Sequence, residues 1–263
     1  MSRLRPLAGL ALALTLSACS DGSGPSDGNA SVAFYIGTGT GAALSASSAI
    51  TSVQAVETID LGPNTIVIDE VQLVLRKLAL QRQVGEDNCD DETEEATESS
   101  AEDAADDGQS CSVLKMGPIL VDLPLDGSTV RAFTIDAEPG TFRRMMFQLH
   151  KPSDDEGDAA FLVDHPEFAG ASLRVAGTFD GEAFEYTTDL TVVQHLNLDP
   201  PLEIAAAGQT ELTLNVDIST WFRNAAGTGL IDPAAAAGSG QLESRIRQNI
   251  RNSFRGRRGH DPD

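Results

Sequence analysis

Apolar and polar residues alternate from Thr65 to Gln81 over the longest such run outside the N-terminal segment. Ile66 and Ile68 share one parity, Val71, Leu73 and Leu75 the other, and Leu78 and Leu80 return to the first. A period of two marks a half-buried strand. Each change of parity turns the side chains to the wrong face unless an extra residue is absorbed, so the run predicts bulges near Asp69-Glu70 and Arg76-Lys77. Two shorter strands joined by a kink are the alternative, because strands ordinarily run to about 5–6 residues.

Shorter β-like runs flank it. Ser31 to Ile36 and Ile50 to Ile59 precede it, separated by a Gly/Ala/Ser-rich loop at Gly37 to Ser48. Ile119 to Leu125, Thr129 to Ile135 and Phe142 to His150 follow, punctuated by Asp126-Gly127 and Pro139-Gly140. Asp180-Gly181 suits a two-residue type I′ turn, since both residues tolerate positive φ. Pairing outward from it sets Gly177 opposite Phe184, Val175 opposite Tyr186 and Leu173 opposite Thr188, and the hydrophobic pattern agrees with that register. Leu190 to Leu196 reads as a strand ended by Asp199-Pro200-Pro201, and Thr210 to Ile218 as another, closing on Trp221 and Phe222. Ala159 to Phe168 predicts a short helix capped by Asp158.

The C-terminal region changes period. After an Ala/Gly linker at Pro233 to Gly240, Leu242, Ile246, Ile250 and Phe254 recur every fourth residue, with Arg245, Arg247, Arg251, Arg255, Arg257 and Arg258 beside them. Such a basic amphipathic helix either lies on an anionic membrane or docks its stripe on the acidic domain, and the charge of the domain favours docking. Together the elements predict an all-β fold: an antiparallel β-sandwich over 31–232, an acidic disordered insertion at 84–112, and a linker and helix over 233–263.

Charge narrows the function. Forty Asp and Glu stand against eighteen Lys and Arg, a net charge of −22. This excludes a nucleic-acid partner, which needs a basic surface. From Glu86 to Asp107 there are twelve acidic residues and no basic ones, a self-repelling block with too little apolar surface to fold. Cys89 and Cys111 bracket the block, and in an oxidising compartment such a pair forms a disulfide.

The N-terminus supplies the compartment. Arg3 and Arg5 precede an apolar run, Leu7 to Leu16, too short to span a bilayer, and small residues lead to Cys19. Leu16-Ser17-Ala18-Cys19 resembles the lipobox of bacterial lipoproteins, which implies removal of residues 1–18 as a signal peptide and lipidation of Cys19. Ser20, in place of Asp, implies retention at the outer membrane, with the chain lipid-anchored in the cell envelope. Cleavage would remove two Arg and no acids, leaving 16 basic against 40 acidic residues, or −24. Residues 19–30 then form a flexible tether.

No H-E-x-x-H, Walker-A, G-x-G-x-x-G or C-x-x-C pattern occurs. His165 with Asp164 and Glu167, and His195 with Asp189, are conceivable acid/base pairs only if the fold joins them. Met146 and His150 suggest copper by residue type, but four strand residues separate them by about 13 Å, too far to share an ion without further ligands. Asp154, Asp155, Glu156 and Asp158 form the metal candidate, with Ca²⁺ as the weakly held cation, although solvated loop charge is the favoured explanation of them. No other cofactor is expected.

The segments I-D-E-V-Q-L-V-L-R-K, D-L-P-L-D-G and P-G-T-F-R-R-M-M-F-Q-L resemble a group of uncharacterised bacterial surface lipoproteins. Their domain of unknown function is related to transthyretin-like or carboxypeptidase-regulatory-like β-sandwiches. The resemblance covers roughly Ser31 to Ile218 and implies a fold without assigned active residues. The sequence therefore predicts a non-catalytic envelope module with a protein or glycan partner and a membrane contact through Cys19. A Ca²⁺-binding surface lipoprotein is the alternative, and an enzyme with an unrecognised site comes third.

Overall fold

The computed structural model describes residues 30–39, 56–82, 111–115, 117–237 and 239–258. Twelve strands fall within them: β1 (Ala30–Thr38), β2 (Glu57–Leu61), β3 (Asn64–Gln81), β4 (Cys111–Lys115), β5 (Ile119–Asp122), β6 (Thr129–Asp136), β7 (Gly140–Leu149), β8 (Leu173–Phe179), β9 (Glu182–Thr188), β10 (Val192–Ile204), β11 (Gly208–Val216) and β12 (Phe254–Arg258). Three α-helices join them: α1 (Glu156–Asp164), α2 (Pro233–Ala236) and α3 (Gly240–Arg251).

β3 is one continuous strand and the spine of the larger sheet. Leu73 pairs with Val121 of β5 and with Leu173 of β8, while Leu75 pairs with Ile119 of β5 and with Leu149 of β7. A strand has two edges, so β8 and β7 succeed one another along one edge and β5 lies along the other. β9 extends from β8, and β10 from β7. Both expected bulges are present. The register against β8 shifts between Ile68 and Glu70, and that against β7 between Arg76 and Ala79. Lys77, inside the second, has φ of +53°.

The smaller sheet runs β12-β11-β1-β6. β1 is parallel to β11, an exception in an otherwise antiparallel sandwich. Between the sheets lie Ile66, Ile68, Leu73 and Leu80 of β3, Phe34 and Ile36 of β1, and Leu212 and Leu214 of β11, all buried in one cluster. Each fully buried side chain of this size contributes roughly 1.5–3 kcal/mol, which explains why the parity of each strand is so strictly kept.

Several boundaries differ from the sequence expectation, among them the helix expected at Ala159 to Phe168, which is α1 (Glu156–Asp164) followed by a 3₁₀ turn at Pro166–Phe168. β10 continues through Asp199-Pro200-Pro201, and its pairing with β7 breaks after Asn197 and resumes at Leu202. Proline lacks an N–H, and a local break in the ladder accommodates it. Cys111 and Ser112 belong to β4, where they pair with Gln81 and Leu80, so the insertion ends sooner than 112. The linker contains α2, whose Ala236 is buried and whose first turn is capped by Asp232. Finally, α3 ends at Arg251, and Phe254 enters the core from β12, its ring 5.2 Å from that of Phe147. The acidic block 86–107, Cys89 and the N-terminal residues through 29 lie outside the described residues.

The basic helix is docked. Ile246 and Ile250 are buried, and Asn249 Nδ2 donates to the carbonyls of Trp221 and Arg223, both at 2.9 Å. Arg247 reaches Asp189 at 2.5 Å. Trp221 is fully buried, as an anchor of the core edge.

Candidate functional site

At Val74, β3 is held on one edge by both ends of a connecting segment instead of a strand. Its N–H donates to Ser172 O at 2.9 Å, and its carbonyl accepts from His150 N at 3.0 Å. The N–H and C=O of one strand residue point to the same edge. The chain therefore leaves β7 and re-enters β8 at this one point, and residues 151–172 form a closed excursion. Its middle packs on the outer face of the sheet. Phe168 and Ala171 bury the Val74 side chain, with Leu120 and Phe161 against them, in a cluster separate from the main core.

A polar knot forms beside this cluster. Outward parity on β3 presents Arg76, and outward parity at the end of β7 presents His150. The excursion supplies Asp158, whose residue exposure is only 1%. His150 Nε2 lies 2.6 Å from Asp158 Oδ2, and Ser153 N–H donates to the same oxygen at 3.1 Å. Arg76 Nη1 is 3.4 Å from His150 Nε2 and 3.9 Å from Asp158 Oδ1. At 2.6 Å from a carboxylate, Nε2 carries the proton and donates. Burial works against the Asp158 carboxylate, but the bonds from His150 and Ser153 and the charges of His150 and Arg76 outweigh it, holding its carboxyl below the ordinary aspartate value.

The knot is incompletely satisfied. Arg76 Nε, His150 Nδ1 and Asp158 Oδ1 are buried without a hydrogen-bond partner. A partly satisfied network in low dielectric is costly, because each unpaired group forfeits its hydration. The neighbouring Lys77, a non-glycine residue in the left-handed region, adds about 1–2 kcal/mol of backbone strain.

The four acids of the cation candidate do not converge. Asp155 is the N-cap of α1, a role the sequence assigned to Asp158, and its carboxylate accepts from Ser153 Oγ at 2.6 Å. Asp154 is exposed, Glu156 opens the helix, and Asp158 turns inward to His150. Among the described residues no group of three or more His, Cys, Asp or Glu is placed to hold a metal. His165 Nδ1 is 3.6 Å from Glu167 at the surface. Asp189 is held by Arg247 and by Lys151 at 3.9 Å, while His195 stands opposite Met146 across β10 and β7. Met146 packs with Ala79 and Val193. Cys111 opens β4, and Cys19 and Cys89 lie outside the described residues.

Sequence reasoning missed the His150–Asp158 pair. The available signal was the outward parity of His150 at a strand end, immediately before an acid-rich loop.

The fold and the knot define a β-sandwich with a buried, internally paired His150–Asp158–Arg76 cluster on its outer face. No family model and no curated protein matches the chain. Among solved structures it is similar to MbnP from Methylosinus trichosporium, with a TM-score of 0.33 and 9% identity over 73% of this chain and 76% of that one.

Proposed function

We propose that this protein is a lipid-anchored β-sandwich of the cell envelope, held at the outer membrane through Cys19 and acting there as a non-catalytic binding or structural module for a protein or glycan. The observation that carries this reading is the joining of Leu16-Ser17-Ala18-Cys19 to a domain whose first described strand begins at Ala30. The intervening residues reach at most roughly 40 Å, which keeps the domain close to the bilayer. β1 lies between β11 and β6, so tension on the tether enters the sandwich through a central strand. The non-catalytic reading draws support from the His150–Asp158 pair, which is turned inward and engaged with Arg76 and Ser153.

Expression of Cys19→Ala in a two-membrane bacterium tests the anchor. The variant should leave the membrane fraction or remain unprocessed, and it should lose lipid labelling. Normal processing with undiminished labelling would overturn the assignment. Crosslinking of the lipidated protein in intact cells, followed by identification of the adducts, tests the binding role; a structural module would recover only envelope-scaffold neighbours.

A further inference from the structure

We propose that residues 151–172 form a strap latched to the outer face of the sheet by Asp158, and that neutralising Asp158 opens the strap while the sandwich stays folded. Four observations converge on this reading. Both ends of the segment are pinned at Val74, so its middle can lift without detaching. Its apolar attachment is confined to Phe168, Ala171 and Phe161 over Val74 and Leu120, outside the main core. Lys151 and Ser172 tie its ends to Thr191, Asp189 and Thr188, and between those ends the polar attachment among the described residues is the buried Asp158 carboxylate. The network around that carboxylate leaves three buried atoms unpartnered, beside a strained bulge.

The groups facing Asp158 set the direction of the response. Arg76 faces it from β3, His150 from the end of β7 and the Ser153 N–H from the preceding loop. Within its own segment, Asp155 is turned to Ser153 Oγ and Asp154 to solvent. His150, Ser153 and Arg76 thus all favour the Asp158 anion. A carboxyl whose folded-state pKa is depressed supports the closed state above its unfolded value and loses that support as pH falls through the folded value. The latch is therefore closed at neutral pH and opens in acid, once the pH has fallen past the ordinary aspartate value and through the lower folded-state one. Opening bares Val74, Leu120, Phe161 and Phe168, an apolar patch absent from the neutral surface. At about pH 2.5 the protonated carboxyls leave 18 Lys and Arg and four His unopposed, so the chain is again strongly charged, and the protection of the β8–β9 hairpin is the control that separates strap opening from global unfolding.

Hydrogen exchange with mass-spectrometric readout, corrected for intrinsic rates, tests the proposal on the full chain and on Asp158→Asn. In the wild type, protection over residues 156–168 should fall roughly tenfold or more between about pH 6 and about pH 2.5, while the β8–β9 hairpin keeps its protection. In Asp158→Asn the strap should be unprotected already at neutral pH, with no further change in acid. Wild-type strap protection that is independent of pH, or is lost together with that of the hairpin, would overturn the latch. So would an Asn variant with wild-type protection. Should that variant fail to fold, the wild-type pH series alone decides.

Discussion

A Cβ placed on Gly177 would lie 2.0 Å from the carbonyl oxygen of Val67. The contact is with backbone, at the bulge where β3 shifts its register against β8, and no rotamer change relieves it. Gly177→Ala should therefore destabilise the fold by about 1–3 kcal/mol, the range of overpacked core sites. Gly117, which has no heavy atom within 4 Å of an added Cβ, is the matched control and should change stability by less than about 0.5 kcal/mol. Urea midpoints of the two variants check the difference.

Asp180 ties two turns together. Its carboxylate accepts from Thr65 N at 2.8 Å and from Asn64 Nδ2 at 2.6 Å, and its own N–H donates to Thr65 O. The Thr65 backbone bond and then the Asn64 bond lower its carboxyl pKa below the ordinary aspartate value. The depressed carboxyl stabilises the turn pair above the unfolded aspartate value, and that support fades as pH falls through the folded value. Carbon-detected NMR titration should find Asp180 titrating low, and Asn64→Ala should move it upward. An unchanged titration in that variant would show that the amide contributes nothing.

These elements were the legible part of the fold, for a physical reason. Parity along β3 reports directly which face is buried, so both bulges could be placed from Asp69-Glu70 and Arg76-Lys77. The Asp180-Gly181 turn fixes the β8–β9 register locally, and the pairs Gly177–Phe184 and Val175–Tyr186 occur as the pattern requires. The candidate site was hidden because its parts meet through tertiary contact. Asp158 reads locally as a helix cap, and only the closure of the strap at Val74 brings it to His150 and Arg76. Phe254 misled in the opposite way: its spacing from Ile250 fits a helix, yet both side chains reach the core, one from α3 and the other from β12.

The docked C-terminal helix separates a buried polar anchor from a surface ion pair. Asn249 satisfies two carbonyls from a buried position, whereas Arg247 and Asp189 are respectively 27% and 50% exposed. Asn249→Ala leaves both carbonyls without that donor and should cost about 1–3 kcal/mol. Arg247→Ala should cost below about 1 kcal/mol and lose its effect in high salt. Thermal unfolding in low and high NaCl distinguishes them. An equal cost for both would mean that the ion pair holds the helix as firmly as Asn249 does.

The acidic insertion should contribute charge, not fold. The chain leaves β3 after Gln81 and returns at Cys111, its partner in the β3–β4 ladder, so a short linker can close the same gap. Replacing residues 84–110 with a Gly/Ser linker should leave the β-rich circular dichroism intact and lower thermal stability little, because loop-closure entropy varies slowly with length. Ca²⁺ binding follows the same logic. Carboxylates without fixed geometry attract ions that keep their water, and this attraction is screened within about 8 Å at physiological salt. Asp154, Asp155 and Asp158 do not add a preformed site, since Asp155 accepts from Ser153 and Asp158 faces His150. Calorimetric titration of the soluble domain should therefore yield weak heats that diminish as NaCl rises and largely vanish in the linker variant. A single tight site that survives high salt would favour the cation-binding reading over the partner-binding one, and its loss or retention in the linker variant would locate it in the insertion or in the strap.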